Sequence, residues 1–223
     1  MNIRKMLIPV GILSVLLLVM MPAFSEEADL CAPFNEGNVD PALLGIMLEA
    51  AEDGHLYRIE KPTSRVGFCV SSPIREVLGT FDEFEGGLAL TSDIDDQGQA
   101  MVIIRPASLN TNDLLINALI KGKDFFDVAN YPEILFVSSD LEWTSRTTAD
   151  LKGDLTIRGI TRPVIFKVTL TGKDGATPGE AEKITVKATT TINRSAFGMD
   201  KMTSLVSNSV QLCMTVDASK YET

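Results

Sequence analysis

Apolar side chains that recur at every second position, in run after run, constrain this chain more than any other feature. Val66, Phe68 and Val70 share one phase, as do Val164, Phe166, Val168 and Leu170. Ile184, Val186, Ala188 and Ile192 form a third run, and Val210, Leu212, Met214 and Val216 a fourth. Successive side chains of a strand point to opposite faces, so this period means antiparallel strand with one apolar face. Turn signals separate the runs at 92–98, at Arg158-Gly159, and at 172–179 with Pro178. Arg158-Gly159 predicts a tight hairpin between strands over 149–158 and 163–171. One segment breaks the pattern: Thr111-Asn112-Asp113 supplies helix-capping residues, and a short apolar helix over 114–120 runs into Lys121-Gly122-Lys123. Roughly eight strands with one inserted helix describe a meander closing into a barrel, with a sandwich as second choice. The interior of such a barrel either fills with side chains or holds one small ligand.

The N-terminus reads as an export signal occupying 1–25. Arg4 and Lys5 supply the positive start, 6–21 is apolar apart from Ser14, and Ala23-Phe24-Ser25 offers small residues before a cut at Glu26. The apolar run also approaches the length of a membrane anchor. The small-residue site and the acidic Glu26-Glu27 favour cleavage and a soluble periplasmic protein. Segment 26–54 forms an N-terminal extension. Asp40-Pro41 starts a helix there, Leu43, Leu44, Met47, Leu48 and Ala51 fall on one stripe, and Gly54 ends it. That stripe is expected to pack on the outside of the domain, with docking of a partner as the alternative. The remainder, 55–223, makes a single barrel domain.

Removing Arg4 and Lys5 from 20 basic residues leaves 18 against 30 acidic ones, a mature net charge of about −12. Such a chain repels phosphate backbones, and nucleic acid is excluded as a partner. Cys31, Cys69 and Cys213 allow one bridge and leave one thiol over. Cys69 and Cys213 are both out of phase with the apolar residues around them, so both point out of a barrel. They can bridge if the first and last long strands pair, or Cys31 can pin the N-terminal segment to either. With His55 alone and no close cysteine pair, no metal site and no Ser-His-Asp set is expected. No cofactor and no enzymatic activity are expected.

Four short motifs carry the most specific signal. They are Gly79-Thr80-Phe81-Asp82-Glu83-Phe84-Glu85-Gly86, then Phe125-Phe126-Asp127 with Tyr131-Pro132 and Phe136, then the stretch from Gly153 to Val164, and Asn193-Arg194-Ser195-Ala196-Phe197-Gly198. The spacing of three between Phe81 and Phe84 does not fit plain alternation and predicts a bulge or bend. Of the adjacent Phe125 and Phe126, one ring enters the barrel and the other packs beneath the helix. Arg158 and Arg194 can hold a phosphate or a quinone carbonyl, or satisfy loop carbonyls.

Taken together, these motifs resemble those of the YceI family of periplasmic polyisoprenoid-binding proteins, from about Leu56 to Lys220. The resemblance implies an all-β fold: an eight-stranded antiparallel lipocalin-like barrel whose apolar cavity takes the tail of an isoprenoid lipid, a quinone or a polyprenyl phosphate. The expected cavity lining is Phe68, Val70, Phe81, Phe84, Phe125, Phe136, Phe166, Ile192 and Phe197, with Arg158 or Arg194 near the head group. In the inserted helix the family commonly has an Arg-Asp pair and then a His-Leu pair. Here those positions are Ile116-Asn117 and Leu119-Ile120, so a charge cluster has given way to apolar surface. The helix then suits a lid or a face for a membrane or envelope protein partner. A second function follows from that surface, that of an envelope stress or interaction protein docking a partner through its apolar helices.

Overall fold

The structure, a computed structural model, describes residues 41–73, 75–90 and 98–221. The export signal, Cys31, Asp40 and most of the 92–98 turn lie outside the described residues, as do the side chains of Leu43 and Leu44. In chain order the elements are α1 (Pro41–Glu52), β1 (Leu56–Ile59), β2 (Arg65–Ser71), β3 (Glu76–Phe81), β4 (Phe84–Ala89), β5 (Gln99–Ile104) and β6 (Leu109–Asn110). They continue with α2 (Leu114–Lys121), β7 (Ile134–Trp143), β8 (Thr148–Ile157), β9 (Ile160–Gly172), β10 (Lys183–Asn193) and β11 (Ser209–Lys220).

These eleven segments make eight strands, because each of the first three strands is broken once. β1 and β2 both lie along β11, with Tyr57 opposite Lys220 and Val66 opposite Met214, and a 3₁₀ turn at Lys61–Thr63 separates them. β3 and β4 face that pair and break at Asp82-Glu83. β5 and β6 face β4 and β3 in turn and break at Pro106–Ser108. Pro62 and Pro106 have no N–H to give to a ladder, which accounts for turns rather than strand at those points. β7 to β11 follow as an uninterrupted antiparallel meander, and the β1–β11 pairing closes the barrel. Closure removes the free sheet edges that would otherwise invite pairing with another chain.

The expected hairpin is present with a two-residue turn. Ile157 pairs with Ile160, and Arg158 and Gly159 sit at φ of 54° and 68°. Two left-handed positions in succession match the right-handed twist of the flanking strands. The Phe81/Phe84 irregularity is likewise a bend: Phe81 ends β3, Phe84 opens β4, and both rings are buried.

Tyr57, Leu170, Ile184 and Ala218 lead a continuous inner core. A second, smaller cluster lies outside the barrel wall. There Met47 and Ala51 of α1 cover Leu56, Ala89, Met101 and Ile103. This explains why β5 is buried at nearly every position: its even-numbered residues face the interior and its odd-numbered apolar residues face α1. Gly54, at φ 71°, ends the helix, and the His55 N–H returns to the Ala50 carbonyl at 2.7 Å. Cys69 and Cys213 point outward as their phase requires. Gln211 lies opposite Cys69 and Gly67 opposite Cys213, so the two cysteines are diagonal neighbours and both thiols are free.

Candidate functional site

The barrel is packed at one end and hollow at the other. At the packed end Tyr57 is fully buried, and its hydroxyl donates to the Ala181 carbonyl at 2.6 Å with the Pro178 carbonyl 2.8 Å away. Burial, with the charge of Glu182 second, pushes this phenol up to about 12. The ring therefore stays neutral and plugs the base.

Above this plug an apolar cavity of about 450 Å³ opens toward the other end. Phe136 and Phe166 stand edge-to-face in its wall, with centroids 5.1 Å apart and planes at 74°. Gly153 makes room for this pair, since a Cβ there would come within 2.8 Å of the Phe136 ring. Higher up, Phe68, Phe81 and Phe126 meet at centroid separations of 5.9–6.4 Å. Gly79 lies against the Phe68 ring, where a Cβ would come within 2.5 Å of it. Such edge-to-face clusters fix ring orientation while presenting apolar edges to whatever occupies the space.

Three segments form the mouth. The β2–β3 turn contributes Ser72, Pro73 and Arg75, α2 contributes Ile116, Leu119 and Ile120, and the 199–206 loop contributes Met199, Met202, Leu205 and Val206. Asp113 caps α2 by accepting from the Leu115 and Ile116 N–H groups at 3.0 and 3.2 Å. It also accepts from Arg75 Nη2 at 3.0 Å, which ties the helix to the β2–β3 turn. The Ile116 N–H foremost, then Arg75, hold its carboxyl below the usual range. Asn117 fastens the approach to the helix, its Oδ1 accepting from the Thr111 N–H at 2.8 Å and hydroxyl at 2.7 Å.

Of the residues expected to line the cavity, Phe68, Val70, Phe81, Phe125, Phe136, Phe166, Ile192 and Arg194 do border it. Three do not. Phe84 and Phe197 are buried in the core away from the cavity, the one under the β3–β4 bend and the other in the turn after β10. Arg158 lies outside the wall. Its Nη1 donates to the Gly198 carbonyl at 2.6 Å and its Nη2 to the Lys123 carbonyl at 3.2 Å, with the guanidinium 6.0 Å from the Tyr131 ring. It clamps three loops together and reaches no ligand space.

Arg194 is on the wall but committed elsewhere. Nε donates to Ser207 O at 2.9 Å, Nη2 to Val206 O at 3.0 Å, and Nη1 to Lys201 O at 2.7 Å and to Met199 O. Four of its five N–H donors thus hold the 199–207 loop, and burial pulls its pKa down from the usual value. Its guanidinium also sits 5.7 Å from the Phe125 ring. The arrangement is a loop staple with an apolar face.

Sequence reasoning missed Phe126. Both rings of the Phe125-Phe126 pair border the cavity, but Phe126 joins the Phe68/Phe81 cluster while Phe125 lies under Arg194. It also missed the mouth residues Met199, Met202, Leu205 and Val206, whose loop has no periodic pattern. Among the described residues that line the cavity there is no carboxylate and no imidazole.

Fold and cavity together define a calyx: a closed eight-stranded antiparallel barrel, stoppered at one end and hollow at the other. The chain belongs to the YceI-like domain family, which matches residues 57–218. It is 37% identical over 144 residues to a UPF0312 protein of Pseudomonas putida strain W619, covering 65% of this chain and 74% of that one. Among solved structures it is similar to BcnA of Burkholderia cenocepacia, with a TM-score of 0.65 and 26% identity over 72% of this chain and 99% of that one. It shares its fold with a polyisoprenoid binding domain from Saccharophagus degradans, at a TM-score of 0.58 and 16% identity over 74% and 98% of the two chains.

Proposed function

We propose that this protein is a periplasmic binding or carrier protein that holds the apolar tail of an isoprenoid lipid inside the barrel. The observation that carries the reading is the apolar cavity of about 450 Å³, continuous from the Phe136/Phe166 pair to a mouth at the barrel end. Its size falls in the ordinary range of ligand pockets. A few hundred square ångströms of tail buried at roughly 25 cal/mol per Å² gives several kcal/mol before the costs of association. Continuous rows of apolar side chains suit a long hydrocarbon and offer a charged head little. Arg194, the cation on the wall deepest among the loops, already serves four carbonyls. The head group therefore stays at the mouth, near Arg75, or carries no charge. A wall without carboxylate or imidazole supports holding over turnover. Export by the N-terminal signal places the carrier between two membranes, where a water-insoluble tail needs shielding.

Val210 lies in the row Ile192–Val210–Val70 across three neighbouring strands of the wall. Val210→Trp should fill the passage. Titration of the exported protein with a long-chain quinone, and separately with a polyprenyl phosphate, should show saturable uptake by wild type and at least a roughly tenfold loss in the variant. Equal uptake by both proteins would mean that the lipid sits elsewhere.

A further inference from the structure

The mouth presents apolar side chains that no described element of the fold covers. Leu114 and Leu115 of α2 are 85% and 84% exposed. Leu119, Met202 and Leu205 are partly exposed and also line the cavity, so the apolar rim runs into the cavity wall without a break. Contiguous apolar surface of this kind marks an interaction site. Helix propensity does not require it. Asp113 caps α2 and Asn117 anchors its approach, so leucines at 114 and 115 contribute nothing to folding that a polar helix former would not.

The charge distribution indicates what covers the rim. The whole chain has 20 basic and 30 acidic residues. The segments that build the mouth end, 72–76, 111–133, 158–162 and 194–208, hold seven basic and six acidic ones. Lys121 and Lys123 follow Leu119 by two and four residues, and Lys201 adjoins Met202. The mouth end is thus near neutral while the rest of the chain is strongly acidic, and a phosphate-bearing surface repels this end less than the remainder. Leucines flanked by lysines are suited to the boundary between acyl chains and head groups. No helix among the described residues is long and apolar enough to cross a membrane, which fits contact from one side.

We infer that the α2 and 199–206 rim is a lipid-bilayer docking surface, which seats the open end of the barrel on a membrane with Leu114 and Leu115 inserted. This goes beyond the cavity reading, since docking needs no bound isoprenoid.

The test uses the exported full-length protein and vesicles of phosphatidylcholine with phosphatidylglycerol, free of isoprenoids. Trp143 ends β7 at the packed end of the barrel and serves as the distal reporter. Leu115→Trp places a second reporter on the rim, paired with Trp143→Phe so that each is read alone. With brominated acyl chains in the vesicles, the Leu115→Trp signal should be strongly quenched and the Trp143 signal unchanged. In flotation without brominated lipid, Leu114→Ser/Leu115→Ser should lose vesicle binding by roughly tenfold or more. Ile165→Ser, which removes an exposed apolar side chain from the outer face of β9, should leave it intact. Equal quenching of both reporters, or no quenching of either, would overturn the inference. So would a wild-type dimer that Leu114→Ser/Leu115→Ser converts to monomer, since the leucines would then cover a second copy. Quinone uptake measured in parallel keeps the two readings apart.

Discussion

Single residues decide whether the barrel has a floor and a rim. Tyr57 is the floor, and its phenol, pushed up to about 12 by burial, stays neutral in the folded state. Above pH ~10 the unfolded chain ionises this group while the folded chain does not. The stability it contributes is therefore complete below pH ~10 and is lost as pH rises through about 12. Tyr57→Phe should cost about 1–2 kcal/mol at pH 8. Urea midpoints at pH 8 and near the folded pKa should fall less steeply for the variant than for wild type, and parallel curves would refute the assignment. At the rim, Arg194→Ala strips four carbonyls of the 199–207 loop of their donors. We expect a loss on the order of 3 kcal/mol by chemical denaturation, with the loop opening first in hydrogen exchange. Full stability in that variant would show that water replaces the guanidinium. Residue type in the sequence exposed neither role fully. Arginine in the Asn193-Arg194-Ser195 motif suits an anionic ligand as readily as a set of carbonyls, and only the path of the loop decides. The motifs put Phe84 and Phe197 among the residues expected to line the cavity but say nothing of depth, so they look the same as Phe136.

At the scale of elements, strand phase was legible and interruptions were partly so. The alternation of Val66, Phe68 and Val70 fixes which side of β2 is inside, and the outward thiols of Cys69 and Cys213 follow from it. β5 carried no such signal, because α1 covers its outer face and both phases are apolar. Of the stripe residues on α1 whose side chains are described, Met47 and Ala51 are buried and Leu48 is half-buried. Met47 and Ala51 pack against β4 and β5, while Ile46 on the same helix stays exposed. The hold on α2 is electrostatic at its first turn. Asp113, with its pKa held down by the Ile116 N–H and then by Arg75, contributes above the ordinary carboxylate pKa and ceases to as pH falls through the depressed value. Asp113→Ala should speed amide exchange across α2 and leave β8 and β9 unchanged. Unchanged protection in α2 would mean that its apolar face alone seats it.

For the whole molecule, closure and hollowness have different origins. Eight strands close because β1 and β2 share β11, a pairing that the alternation allows but does not require. The cavity exists because the wall narrows to glycine at Gly79 and Gly153, against which the Phe68 and Phe136 rings lie, Phe68 tilted on Phe81 and Phe136 edge-to-face with Phe166. A barrel with the same alternation could equally be filled, which is why the resemblance to the family, and not periodicity, pointed to a ligand. Stoppered base, apolar shaft and apolar rim are the three parts on which the proposed carrier reading rests.

The most direct test of that account is native mass spectrometry of the protein from a periplasmic extract, followed by solvent extraction and lipid analysis. The account predicts an exported chain starting at Glu26 that carries one isoprenoid per barrel, lost in Val210→Trp. A bare mass in repeated preparations, with no uptake of added quinone or polyprenyl phosphate, would contradict it.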